Sequence, residues 1–170
     1  LNLFGDGEYG RTPDSASLNV TTAATWEIWV TPDGVARLQS IFSKDQGGSI
    51  ANRSWGMKYS GSSILLENFS GGSASNLSVP VTSYTETFLA TITADNGTPV
   101  AYINGQPVAA SGSIQSPLNV TAAPIYLGVK VDGSSIIEPT QVKIGSAKIY
   151  NRALTADEVL TNYNTQKSLY

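Results

Sequence analysis

Short apolar runs broken by small polar residues fill most of the chain. Thr25-Trp26-Glu27-Ile28-Trp29-Val30 reads as a strand, stopped by Pro32-Asp33-Gly34. Leu38 to Ser43 reads as another, ending near Gly47-Gly48. Trp55 to Tyr59 and Ser63 to Phe69 are expected to pair across Ser60-Gly61-Ser62. Phe88 to Ala94 precedes a turn at Asp95-Asn96-Gly97-Thr98. Val100 to Ile103 and Gln106 to Val108 flank Asn104-Gly105, which supplies the two positive φ angles of a type I′ hairpin. Ile125 to Val129 and Gln141 to Tyr150 complete the strands. Ser60 to Ser78 is rich in Ser and Gly and is expected to be one strand plus a flexible loop. The pattern is that of an all-β sandwich or barrel.

One helix stands out, over about 156–166. Thr155-Ala156-Asp157-Glu158 is a capping box, and Val159, Leu160 and Tyr163 follow at helical spacing. Leu18-Asn19-Val20-Thr21 recurs as Leu118-Asn119-Val120-Thr121, which is read as two loops entering similar strands. No domain boundary is visible, so residues 1–170 are expected to form one domain. Leu1 to Phe4 reads as a strand at once, without Met or a signal-peptide pattern, and the chain is expected to be part of a longer or processed protein.

Composition narrows the chemistry. With no His and no Cys, the chain has no Ser-His-Asp or Cys-His nucleophile, no disulfide and no Cys/His zinc site. A net charge of -3 gives no electrostatic footprint for nucleic acid. No apolar run approaches the ~18 residues of a membrane span, so membrane insertion is not expected.

The ordered motifs resemble a known family. Leu3-Phe4-Gly5-Asp6-Gly7-Glu8-Tyr9, then Pro13 to Asn19, is similar to the opening of laminin-G-like domains of the concanavalin A-like lectin/glucanase superfamily. The Trp26 to Val30 strand, Ile41-Phe42-Ser43-Lys44-Asp45 and the Asn104-Gly105 hairpin fit the same pattern. So does the close, Lys148-Ile149-Tyr150-Asn151-Arg152-Ala153-Leu154-Thr155-Ala156-Asp157-Glu158-Val159. The resemblance implies a two-sheet antiparallel jelly-roll sandwich with one short C-terminal helix. The ending looks most like the versions in phage structural proteins. The chain departs from the family at Phe4, Gly145 and Ser146, where acids usually stand and often hold calcium or brace the end strands.

Catalysis is not expected. The Glu-x-Asp-x-x-Glu motif of laminarinase-type members is missing, since Trp29 and Pro32 follow Glu27 where acids should be. Glu27 is expected to hydrogen-bond inside the sandwich. No cofactor is required, and calcium is the one cation the turns suit, with Asp6, Glu8 and Asp132 as candidate ligands. For a glycan, an aromatic ring beside polar groups is the expected platform, which selects Trp55 with Asn52, and Tyr59 and Tyr84. Six Asn-x-Ser/Thr sequons, at Asn19, Asn52, Asn68, Asn76, Asn96 and Asn119, are read as turn chemistry.

The reading is a non-enzymatic virion surface module, a capsid decoration or tail-fibre attachment domain at the virion surface or outside the cell. Its expected partners are other virion proteins, copies of itself and host-surface glycan. The alternatives are a carbohydrate-binding domain of a bacterial surface or secreted protein, and a glycan-active hydrolase domain with unrecognised carboxylates facing each other across a sheet.

Overall fold

The computed structural model describes residues 8–82 and 85–170. The strand expected at Leu1 to Phe4 lies outside them. In chain order the strands are β1 (Gly10–Thr12), β2 (Ala23–Thr31), β3 (Gln39–Asp45), β4 (Arg53–Tyr59) and β5 (Ser63–Ser70). Next come β6 (Ser73–Pro80), β7 (Phe88–Asp95), β8 (Thr98–Ile103), β9 (Gln106–Val108) and β10 (Ser111–Gly112). Then follow β11 (Ile125–Leu127), β12 (Lys130–Asp132), β13 (Ser135–Ile137) and β14 (Lys143–Tyr150), before the helix α1 (Ala156–Gln166).

Two antiparallel sheets form the sandwich. One has seven strands in the order β1-β11-β3-β4-β5-β6-β10, the other five in the order β14-β2-β7-β8-β9. β12 and β13 form a separate hairpin. Alternation along the strands makes the core: Trp26, Ile28 and Val30 of β2 meet Trp55, Met57 and Tyr59 of β4 between the sheets. The indoles of Trp26 and Trp55 touch edge to face, with centroids 5.9 Å apart.

The turn chemistry sets the register. Asn104 and Gly105 have φ of 52° and 75° and close the β8–β9 hairpin, with Ile103 opposite Gln106. β4 and β5 pair with Tyr59 opposite Ile64, as their sequence suggests. The flexible loop expected up to Ser78 is instead strand β6. Gly71 and Gly72, both at positive φ, make a tight turn, and Leu77 and Val79 then alternate into the core.

The opposite parity of β2, with Thr25, Glu27 and Trp29, faces outward and is roofed by α1. The helix starts at the expected capping box: Thr155 Oγ1 accepts from the Glu158 amide, and Glu158 accepts from the Thr155 amide. Glu27 is buried, but beneath the helix and not between the sheets. It accepts from Lys148 at 3.1 Å, Asn162 at 2.9 Å and Gln166 at 3.2 Å. The Trp29 ring stacks on Tyr163 and, at 4.8 Å, on Tyr170. Gly105 makes the close approach feasible, since a Cβ there would stand 3.1 Å from Leu160 and Tyr163. At Gly145, in the bulge of β14, a Cβ would fall 2.3 Å from the Tyr170 ring. The position where the family usually carries an acid is thus the seat of an aromatic ring.

Candidate functional site

Two of the expected platform aromatics belong to the core. Trp55 has no exposed surface and packs its indole against Phe42 and Trp26. Tyr59 is equally buried, its hydroxyl donating to the Gly61 carbonyl at 2.9 Å. Both lie on the core parity of β4, so neither offers a face to a sugar. Tyr84 and Asp6 lie outside the described residues. Glu8 is exposed, ahead of β1. Asp132 is a turn clamp: its Oδ1 accepts from the Gly48 amide at 2.7 Å, and it sits where a Cβ on Gly47 would be. Among the described residues, no group of three carboxylates is placed to hold a metal ion.

Asn52 remains at the surface. It lines a depression of about 270 Å³ with Gln46, Ala51, Val120, Thr121 and Ala123, between the β3–β4 loop and the segment before β11. The wall is set by Asn119, whose amide donates to the Ile50 and Arg53 carbonyls at 3.1 and 3.0 Å while its oxygen accepts from the Gly71 amide. The Asn68 side chain is likewise consumed, holding Ser75 and Gln115. Two of the six sequons are therefore structural fasteners.

Among the described residues, six charged side chains gather at the outer face of the seven-stranded sheet, where the sequence gives little warning. On β4, Ser54, Gly56 and Lys58 take the parity opposite to the core. Gly56 pairs with Ser43 on one side and Glu67 on the other. The β12–β13 hairpin packs here against β3, through Tyr126, Val129 and Val131 and a bond from the Ser40 amide to the Glu138 carbonyl. It delivers Lys130, and Glu138 follows it.

The six charges balance, three positive and three negative. Lys58 Nζ lies 2.8 Å from Glu67 and 3.0 Å from Glu138. Lys130 Nζ stands 3.8 Å from both Asp45 Oδ2 and Glu67 Oε2, and Arg53 Nε is 3.5 Å from Asp45 Oδ1. These last three contacts are attraction without a hydrogen bond. The Glu67 Oε2 atom and the hydroxyls of Ser40, Ser43 and Ser54 are buried with no protein partner. Glu67 is a quarter exposed beside β5, although its Oε2 atom, which faces Lys130, is buried.

Burial pushes the Asp45 carboxyl up, over the opposing pull of the Gly47 amide, Lys130 and Arg53. Burial works to lower Lys58, but its hydrogen bonds to Glu67 and Glu138 outweigh this and hold the ammonium above its ordinary value. The signal that could have found the tract is the charged, off-core parity of β4 and β5. Its completion by Lys130 and Glu138 depends on tertiary docking of a hairpin.

The fold and the motif order define a class. The chain belongs to the concanavalin A-like lectin/glucanases superfamily, whose sequence profile matches residues 4–160. A search of curated proteins returns no match to it.

Solved structures share the fold. The binding domain of botulinum neurotoxin serotype G superposes with a TM-score of 0.75 at 20% identity, covering 98% of this chain and 42% of that one. The binding domain of botulinum neurotoxin DC, in complex with rat synaptotagmin II, gives 0.72 at 12% identity, over 96% and 42%. A structure of botulinum neurotoxin type C, whose cell entry depends on interaction with two ganglioside molecules, gives the same values. The chain spans less than half the length of these relatives.

Proposed function

We propose that the chain is a non-enzymatic carbohydrate-binding attachment domain, with the Asp45–Lys130–Glu67 tract as its binding site. The observation that carries this is the gap at Lys130. Its ammonium stands 3.8 Å from two carboxylate oxygens, in hydrogen-bonding contact with neither. A sugar hydroxyl donates and accepts at once, so it can bridge an ammonium and a carboxylate that do not reach each other. The balanced charge favours neutral sugars over acidic ones. Asn52 and Gln46 extend the polar surface, because Asp45 and Arg53 flank the loop that carries them.

The ganglioside and synaptotagmin binding of the toxin domains belongs to chains more than twice as long, and it supports the class of activity only by analogy of fold. On a virion or bacterial surface, repeated copies would turn a weak site into firm attachment.

Glycan-array binding with the intact chain tests the reading. Neutral glycans should bind, and Lys130→Met or Glu67→Gln should weaken them about tenfold, the worth of a charged hydrogen bond. An array on which no glycan binds above background would sink it.

A hydrolase reading has one specific support. Asp45, raised by burial, and Glu67 both face Lys130, so at most twice 3.8 Å separates their oxygens. That upper bound admits the ~5–5.5 Å spacing of retaining glycosidase carboxylate pairs. Release of reducing sugar from a bound glycan, abolished in Asp45→Asn, would establish that reading in place of the first.

A further inference from the structure

The start of α1 carries a second, separate concavity. It has a volume of about 240 Å³ and is lined by Tyr150, Arg152, Leu154, Asp157, Thr161 and Asn162. Most of these side chains are already committed. Arg152 and Glu158 form a two-pronged pair, with both distances 2.7 Å. The Thr25 hydroxyl holds the backbone on both sides, donating to the Arg152 carbonyl and accepting from the Leu154 amide. Asn162 donates to Glu27 and to the Tyr150 hydroxyl. The capping box satisfies the helix start. The walls are therefore fixed before any ligand arrives, which lowers the ordering cost of binding.

Two groups are left over. Asp157 and Thr161 have no side-chain hydrogen-bond partner among the described residues, and both are exposed. Four residues apart on a helix, they lie on one face with Cβ atoms ~5–6 Å from each other. One is an acceptor of charged strength, the other a donor and acceptor. Tyr150 and Leu154 supply apolar wall beside them.

Given the carbohydrate-binding reading above, on which this inference rests, we propose that the concavity is a second sugar subsite, for a single neutral hexose ring. Asp157 accepts from ring hydroxyls, Thr161 bonds a neighbouring one, and the apolar wall takes the carbon face of the ring. The space is smaller than the roughly 300–1,000 Å³ of a drug-sized pocket, which limits the occupant to one ring. The tract on the seven-stranded sheet and this subsite lie on opposite sheets, so one chain would hold two ends of a branched glycan or two separate chains.

The test is a titration of the methyl glycosides of glucose, galactose and mannose into the isotope-labelled chain, followed by amide shifts. The expected result is saturable shifts at Tyr150, Asp157 and Thr161. Thr161→Arg, an exposed change that fills the concavity, should abolish them, and Asp157→Asn should weaken them about tenfold. Lys130→Met should leave them unchanged. Shifts confined to the tract, or helix shifts that persist in Thr161→Arg, would overturn the subsite and leave the carbohydrate reading standing. Silence at both places, with no glycan bound on the array, would remove both.

Discussion

Asp45 shows how a single side chain can be both well held and costly. Its Oδ1 accepts from the Gly47 amide at 2.7 Å, yet its nearest cations stand 3.5 and 3.8 Å away and it is almost fully buried. Burial raises its carboxyl above the ordinary value of 3.8. A raised folded-state value means that the folded protein takes up this proton more readily than the unfolded chain. Ionised Asp45 therefore costs stability at neutral pH, and the cost is relieved as pH falls through the raised value. Asp45→Asn keeps an acceptor for Gly47 and removes the buried charge. The gain in melting temperature of Asp45→Asn over the parent should thus be larger at about pH 7 than at about pH 4. A gain that grows toward acid would contradict the burial argument.

Elements differ in how much of them the sequence exposes. The helix is written locally: Thr155, Glu158 and the spacing of Val159, Leu160 and Tyr163 suffice, and the structure has α1 at the expected 156–166. The Asn104-Gly105 hairpin is equally local. The loop expected near Gly71 is a strand because two glycines at positive φ return the chain at once, which composition alone hides. The cap supplies a check at this scale. Arg152 and then the Thr155 amide hold the Glu158 carboxyl down to about 2, against an ordinary 4.5. A lowered folded-state value contributes stability that is present above 4.5 and is lost as pH falls through about 2. Thr155→Ala should cost about 1 kcal/mol in denaturant unfolding. It should also start helical loss at higher pH than in the parent when far-ultraviolet circular dichroism is followed down an acid titration.

At the scale of the whole molecule, the fold was legible and the site largely was not. Periodicity marked the strands, and the ordered motifs marked the superfamily that the profile match establishes. Trp55 and Tyr59 read as surface aromatics because polar residues adjoin them in sequence. Period-two alternation sends them inward instead, while the same alternation turns Ser54, Gly56 and Lys58 outward. The charged tract draws on β3, β4, β5 and a hairpin far along the chain, so no sequence window contains it. The same layering governs what light can report. All three tryptophans are shielded, two between the sheets and Trp29 beneath the helix with tyrosines on its ring. Their fluorescence should be blue-shifted in the native protein and should stay so when a glycan binds at either proposed site. A red shift would arise first from Trp29, if the helix lifts from its sheet before the sandwich opens. Trp29→Phe should delete that early step in a denaturant titration while sparing the main transition, making the indole a local gauge of helix docking.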